Sequence, residues 1–230
     1  MTSAHSSTAL LEYLTVAPRL QTSQKSPVIV FLHGVGGNET NLMPQSTTVD
    51  ARLRVFSVRA PIQRLPSAYG WFDVRFDPDP IINVDHAESS RISLIAFLER
   101  VVTEYNLEPR QVYLVGFSQG AIIGASVALT RPDLVAGLVM LSGRILPEIA
   151  PLLALPRLLS ELFVFVAHGC LDDKLPIRHA HATSALLSSL GVKLTYCEYD
   201  MGHEIGEEEI SEVNAWLSNQ LDQFLATTVI

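Results

Sequence analysis

Charged residues and cysteines are both scarce in this sequence. Asp, Glu, Lys and Arg make up 17% of its 230 residues, below the roughly 25% that is usual for soluble domains. Hydrophobic residues make up 48%, so we expect a large core whose apolar elements are covered on both sides. The two cysteines are Cys170 and Cys197, and without a signal peptide we expect them to be reduced thiols.

The sequence also lacks three features that are typical of other classes of protein. The sequence has no cluster of Lys and Arg and a net charge of −8, which argues against a nucleic-acid partner. No apolar run reaches the roughly 18 residues that a membrane-spanning helix needs. The first residues, MTSAHSSTAL, lack the basic and apolar regions of a secretory signal. We therefore expect a cytoplasmic protein with one domain over residues 1–230, of which about residues 1–8 are flexible.

Short apolar runs alternate with segments of helical spacing along the chain. The predicted buried strands are PVIVFL, RVFSV, QVYLV, VAGLVMLSG, LFVFVAHG and KLTYCEY. The main predicted helices are AESSRISLIAFLERVVTEYN, GAIIGASVALT and IGEEEISEVNAWLSNQLDQFLAT. Continuous apolar strands separated by helices are typical of an α/β protein with a mostly parallel central sheet and helices on both faces.

In such sheets the chemistry lies at the carboxyl ends of the strands. The residues that follow the predicted strands are HGVGGN, RAP, GFSQG, LSG, HGCLDD and MGHE, and they include Ser118, Asp172 and His203. The segment 116–120 matches G-x-S-x-G, the pattern of a nucleophile on a sharp turn between a strand and a helix. The alternative is an ordinary serine in a glycine-rich loop, but a strand before it and a helix after it favour the nucleophile.

A serine nucleophile needs a base and an acid that orients the base. His203 is the preferred base, because it follows the last strand, whereas a structural role is expected for His33 and His168 in their His-Gly turns. The acid is Asp172 or Asp173, and their spacing alone does not separate them. Either one gives the chain order serine, acid, histidine.

A site for acyl transfer also needs backbone donors for a negatively charged oxygen. We expect one from the N–H of Gln119 and a second from Val35 in HGVGGN. A phosphate-binding loop is the alternative, but HGVGGN matches neither G-x-G-x-x-G nor the Gly-Lys-Ser/Thr pattern. Tyr69, Trp71 and Phe72 are expected either to wall the substrate pocket or to be core aromatics that pin a loop.

Six motifs in order resemble the phospholipase/carboxylesterase family of α/β-hydrolases, which includes the acyl-protein thioesterases. They are FLHGVGGNETNL, YGWFD, VYLVGFSQGA, LSGRILP, HGCLDDKLP and MGHE, and the first is most similar to the bacterial carboxylesterase branch. The resemblance implies an α/β-hydrolase fold without a large lid domain, and a serine esterase with Ser118 as nucleophile and His203 as base. It also implies that Asp172 is the acid, and that the backbone of Val35 and Gln119 forms the oxyanion hole. It further implies a cytoplasmic enzyme, commonly dimeric, that needs no metal or other cofactor.

These observations predict a hydrolase of carboxylic esters with short to medium acyl chains, acting on a small-molecule substrate through an acyl-enzyme. A thioesterase or a lysophospholipase would use the same three residues. Long acyl chains would need an extended apolar groove, which residues 144–161 could line. A ligand-binding protein on a hydrolase scaffold is the alternative from another class, although such proteins usually lose one of the catalytic residues.

Overall fold

The computed structural model describes residues 10–21, 25–76 and 80–228, and the predicted flexible residues 1–8 lie outside these ranges. The strands are β1 (Tyr13–Val16), β2 (Val28–Leu32), β3 (Arg54–Val58), β4 (Ile62–Leu65), β5 (Ala68–Gly70), β6 (Val74–Phe76), β7 (Pro80–Ile82), β8 (Val112–Phe117), β9 (Gly137–Leu141), β10 (Phe163–Gly169) and β11 (Lys193–Tyr199). The α-helices are α1 (Val84–Glu104), α2 (Gln119–Thr130), α3 (Pro156–Leu159), α4 (Arg178–Ser189) and α5 (Glu207–Thr228). Two 3₁₀ helices cover Met43–Thr47 and Pro147–Leu152.

A seven-stranded sheet in the order β1-β3-β2-β8-β9-β10-β11 forms the centre of the protein. The six strands from β3 to β11 in this order run parallel, and each was predicted from its apolar run. β1 pairs antiparallel with β3 at one edge and was not predicted. Its two central residues are exposed and its two end residues half-buried, so this edge strand has no continuous apolar run.

Helices cover both faces of the sheet, as the sequence predicts. In β2, Val28, Val30 and Leu32 belong to the apolar cluster that contains residues of α1, α2 and α4. The intervening Ile29 and Phe31 belong to the cluster that contains residues of α5. Side chains alternate between the faces of a strand, and both faces are buried here. This is why the strand reads as a continuous apolar run.

The segments outside the central sheet are small. β4 pairs with β5, and β6 pairs with β7, in two short hairpins that precede α1. Residues 144–161 form a 3₁₀ helix and α3, and they bury Leu146, Ile149 and Leu159 in the core. Within the described ranges no large lid domain is inserted, and none of the helices there is long and apolar enough to cross a membrane.

Candidate functional site

Ser118 occupies a strained turn between β8 and α2. Its backbone has φ 53° and ψ −117°, a region that residues with a Cβ rarely adopt. The turn fits because two glycines flank it. A Cβ on Gly120 would lie 2.0 Å from the carbonyl oxygen of Leu32, and one on Gly116 would lie 2.4 Å from the amide nitrogen of Ala121. The glycines therefore let α2 begin directly against β2, with Ser118 at the carboxyl edge of the sheet.

We expect Gly120→Ala to lower the free energy of unfolding by at least about 3 kcal/mol, because its methyl group would overlap the backbone of Leu32. The matched control is Gly202→Ala, since a Cβ at Gly202 would meet no atom within 4 Å. The control should change stability by less than about 1 kcal/mol. Guanidinium denaturation of both variants measures the difference, and equal stabilities would contradict the close approach described here.

The side chains of Ser118, His203 and Asp172 form one chain of hydrogen bonds. The Nε2 atom of His203 lies 2.9 Å from Oγ of Ser118, and its Nδ1 atom lies 2.7 Å from Oδ2 of Asp172. Because a carboxylate accepts, Nδ1 carries the hydrogen, and Nε2 is left to accept from the serine hydroxyl. A hydroxyl beside an oriented imidazole is the arrangement that nucleophilic catalysis uses.

The loop after β10 brings only one of its two aspartates to His203. The Asp172 side chain is 0% exposed, whereas that of Asp173 is 74% exposed and pairs with Nζ of Lys174 at 3.3 Å. Oδ1 of Asp172 accepts hydrogen bonds from the backbone N–H groups of Lys174 (2.9 Å) and Leu175 (2.8 Å). Burial alone would raise the pKa of Asp172. The hydrogen bonds from Leu175, His203 and Lys174 outweigh it and hold the pKa below its usual value.

The loop after β2 lies directly against Ser118. A Cβ on Gly34 would lie 3.3 Å from Cβ of Ser118. Gly36 has φ 80°, which turns the chain, and its N–H donates to the carbonyl of Tyr69 at 2.7 Å. Among the hydrogen bonds of the described residues, none has the N–H of Val35 or of Gln119 as its donor. Both N–H groups are therefore available to a negatively charged oxygen near Ser118.

Buried polar groups hold this loop in place. His33 donates through Nδ1 to the carbonyl of Gly34 (2.7 Å) and accepts through Nε2 from the N–H of Ala60 (3.0 Å). One donor and one acceptor nitrogen require the neutral ring, and burial lowers the pKa of His33 in the same direction. Glu39 receives two hydrogen bonds from Arg59, at 2.6 and 2.5 Å, and the guanidinium lies 4.8 Å from the ring centre of Tyr69.

Trp71 and Phe72 are fully buried, so the structure supports the second of the two interpretations made from the sequence, core aromatics that pin a loop. The Trp71 indole donates to the carbonyl of His33 at 2.8 Å. The side chain of Gln119 accepts from the N–H of Trp71 (3.0 Å) and donates to the carbonyl of Phe72 (2.9 Å). Tyr69 is half-buried against the same cluster. Sequence reasoning gave Gln119 a role through its backbone alone and missed this amide, for which the sequence carries no signal.

A cavity of about 410 Å³ opens beside His203. It is lined by the loop after β2, by two apolar side chains beside it and by the loop that carries His203: His33, Gly34, Val35, Gly36, Gly37, Asn41, Leu42, Phe117, His203, Glu204 and Ile205. Neither Trp71 nor Phe72 lines it, and Tyr69 does not either. In the described part of the chain, no group of three or more His, Cys, Asp and Glu side chains is arranged to hold a metal ion.

The helix after the His203 loop begins with a buried carboxyl group. Glu209 is 0% exposed, and its Oε2 accepts the N–H of Gly206 at 3.2 Å. Burial raises the pKa of Glu209 from 4.5 to about 7, although the hydrogen bond from Gly206 acts in the opposite direction. The folded protein thus keeps this proton at pH values where the unfolded chain has lost it, so the stability that this group contributes falls as pH rises from 4.5 to about 7.

We expect Glu209→Gln to remove this pH dependence, because the amide stays neutral. Between pH values of about 5 and 8, the wild type should lose on the order of 3 kcal/mol of unfolding free energy relative to Glu209→Gln. Glu208 is exposed on the same turn, and Glu208→Gln should keep the slope of the wild type. Urea denaturation at both pH values measures these slopes, and parallel slopes for Glu209→Gln and wild type would contradict a buried, raised pKa.

Comparisons with known proteins agree on one family. The sequence model described as Phospholipase/Carboxylesterase matches residues 15–221. An acyl-protein thioesterase 1 of Gibberella zeae is 25% identical over 86% of this chain and 92% of its own length. A probable inactive carboxylesterase of Oryza sativa subsp. japonica is 24% identical over 89% of each chain. The structure of a Bacillus cereus carboxylesterase superposes with a TM-score of 0.79 at 23% identity, covering 92% of this chain and 95% of that one. The predicted α/β-hydrolase fold is therefore confirmed.

Proposed function

The chain belongs to the phospholipase/carboxylesterase family of hydrolases, and we propose that it cleaves carboxylic esters of short to medium acyl chain. The observation that carries this proposal is the hydrogen-bonded chain from Ser118 through His203 to Asp172, with distances of 2.9 and 2.7 Å. A half-buried hydroxyl, an oriented imidazole and a buried carboxylate lie together at the edge of the sheet. The backbone N–H groups of Val35 and Gln119 have no acceptor among the described residues. Each step of ester hydrolysis can then be assigned to a named group.

Ser118 Oγ attacks the ester carbonyl carbon while Nε2 of His203 takes its proton. Asp172 stabilises the imidazolium that forms and keeps the ring in the correct tautomer. The N–H groups of Val35 and Gln119 stabilise the oxyanion of the tetrahedral intermediate, and Gln119 is also the first residue of α2, where the helix dipole favours negative charge. His203 returns the proton to the leaving alcohol, and an acyl-enzyme on Ser118 remains. Water then attacks the acyl-enzyme while His203 takes its proton. His203 returns the proton to Ser118 Oγ as the carboxylic acid leaves.

The dimensions of the cavity support short to medium acyl chains. Its volume is about 410 Å³, and its lining includes Leu42, Phe117 and Ile205, which would contact an acyl chain or an alcohol group. None of residues 144–161 lines it. A second cavity of about 330 Å³ lies between α1 and residues 146–152 and shares no lining residue with the first. That these two cavities do not join along the segment 144–161 supports short to medium acyl chains over long ones.

Thioester hydrolysis is the second candidate, and the similarity to the Gibberella zeae acyl-protein thioesterase 1 favours it. The same three side chains would attack a thioester, and a thiol is an easier leaving group than an alcohol. The rice relative carries the description probable inactive carboxylesterase, so ligand binding without turnover is the contrasting possibility. In this chain both hydrogen bonds to His203 are made, which supports catalysis over ligand binding without turnover.

A series of p-nitrophenyl esters tests the function, with Ser118→Ala as the blank. The series consists of acetate, butyrate, octanoate and palmitate, and an S-butyryl thioester is measured in parallel. We expect kcat/KM to be highest for butyrate or octanoate and at least about tenfold lower for palmitate. Absence of turnover throughout would contradict the function. A maximum at palmitate would contradict the chain length, and a tenfold or greater preference for the thioester would favour the second candidate.

Five further expectations belong to this proposal. The chain acts as one catalytic domain over residues 1–230, on a small-molecule substrate and without a metal or other cofactor. It works in the cytoplasm, and it forms a homodimer, as the resemblance to the family implies. Activity that survives dialysis against a chelator would support the metal-independent mechanism.

A further inference from the structure

His168 lies at the end of β10, four residues before Asp172, and both side chains are 0% exposed. Its Nε2 atom is 2.6 Å from the carbonyl oxygen of Leu175 and 3.3 Å from Oδ2 of Asp172. A carbonyl oxygen can only accept, so Nε2 carries a hydrogen. That N–H makes its shorter hydrogen bond to Leu175 and also faces the Asp172 carboxylate.

Leu175 links His168 to Asp172 through two hydrogen bonds. Leu175 receives the N–H of His168 at its carbonyl and donates its own N–H to Oδ1 of Asp172 at 2.8 Å. Oδ2 of Asp172 lies between two imidazoles, with His203 Nδ1 at 2.7 Å and His168 Nε2 at 3.3 Å. Oδ2 is thus in contact with a second imidazole besides His203, and Oδ1 is held by the turn that His168 contacts.

Burial of the His168 ring also costs free energy. Among the described residues its Nδ1 atom has no hydrogen-bond partner, so one polar atom of the ring is left unsatisfied in the interior. An apolar side chain of similar volume would fill the space without that penalty. What distinguishes histidine from such a side chain is the Nε2–H toward Leu175 and Asp172.

We propose that His168 is a positioning residue for the reaction, which holds the Asp172 carboxylate toward His203 through the turn 172–175. The inference rests on the proposed function, because Asp172 must serve as the acid for its position to affect the rate. His168 touches neither the substrate nor Ser118. Its effect is to keep the distance between Asp172 and His203 short while positive charge develops on the His203 ring.

Two substitutions of similar size separate the N–H from the bulk of the ring. His168→Gln keeps an N–H close to the position of Nε2, whereas His168→Leu removes it. We expect His168→Leu to lower kcat for p-nitrophenyl butyrate about 10- to 100-fold with little change in KM, because ground-state binding is untouched. His168→Gln should remain within about threefold of the wild type. The downfield proton resonance of His203 Nδ1–H should persist in His168→Gln and broaden or shift in His168→Leu.

The kcat values of the His168 variants either support or overturn the positioning role of His168. Equal kcat values for folded His168→Leu and wild type would overturn it, as would equal losses in His168→Leu and His168→Gln. If His168→Leu does not fold, His168→Asn replaces it, because the shorter amide is polar but cannot reach Leu175. A loss in His168→Asn with activity kept in His168→Gln supports the inference, and the reverse order overturns it. If the wild type itself hydrolyses no ester, the proposed function fails before His168 is compared.

Discussion

Ser118→Ala is expected to lower kcat for p-nitrophenyl butyrate by at least about 10⁴-fold. The physical reason is the loss of the only side-chain atom within hydrogen-bond distance of His203 Nε2 among the described residues. Without that nucleophile, only oxyanion stabilisation and substrate binding remain, and neither forms an acyl-enzyme. The far-UV circular dichroism spectrum should not change, because a Cβ is kept at the same backbone position.

Ser118→Gly is the companion variant that separates activity from stability. Ser118 has φ 53°, which disfavours any residue with a Cβ by about 1 to 3 kcal/mol, whereas glycine tolerates this region. Glycine also loses about 0.5–1 kcal/mol more backbone entropy on folding. We therefore expect Ser118→Gly to be inactive and more stable than Ser118→Ala by about 1 kcal/mol. An active Ser118→Ala would contradict the nucleophile, and a less stable Ser118→Gly would contradict the strain.

Asp172→Asn is expected to lower kcat about 10³- to 10⁴-fold, whereas Asp173→Asn should stay within about twofold of the wild type. An amide at position 172 presents an N–H group to Nδ1 of His203, which favours the tautomer with its hydrogen on Nε2. That tautomer cannot accept the proton of Ser118. Asp173 points to solvent and contacts Lys174, so its charge has little influence on the reaction.

The two asparagine variants are nearly isosteric with the residues that they replace, so a difference between them reports on position. Thermal unfolding checks that Asp172→Asn remains folded, since its side-chain oxygen can still accept from the N–H groups of Lys174 and Leu175. Equal activity losses at the two positions would mean that net charge in the loop matters more than the contact with His203. A larger loss in Asp173→Asn would mean that Asp173, and not Asp172, is the acid.

Most of what this sequence predicts about the fold and the site comes from its predicted strands and their carboxyl ends. The continuous apolar runs predict β2, β3, β8, β9, β10 and β11, because a parallel strand covered on both faces must be apolar throughout. The carboxyl ends of those strands then predict which loops meet. The structure brings Ser118 and Asp172, from two of these loops, each to within hydrogen-bond distance of His203 in a third. The apolar pattern and the position of the loops after the strands therefore predict which side chains lie near His203.

Contacts between side chains and distant backbone groups could not be predicted. The burial of Asp172 and exposure of Asp173 depend on how the turn 172–175 closes, which the residues alone leave open. The amide of Gln119 reaches Trp71 and Phe72 across 48 and 47 residues of chain. His168 reaches Leu175 through the same turn that holds Asp172. These contacts depend on the exact path of a loop, which hydrophobic periodicity does not encode.

Labelling with a fluorophosphonate tests the central claim most directly, because the phosphonylation of a serine requires an activated hydroxyl. The wild type is treated with the probe, its intact mass is measured, and the modified peptide is sequenced. We predict one adduct per chain, located on Ser118. Its formation should be strongly slowed in Asp172→Asn, and it should be absent from Ser118→Ala. An unlabelled wild type, or an adduct on another residue that persists in Ser118→Ala, would contradict the assignment of Ser118 as the activated nucleophile.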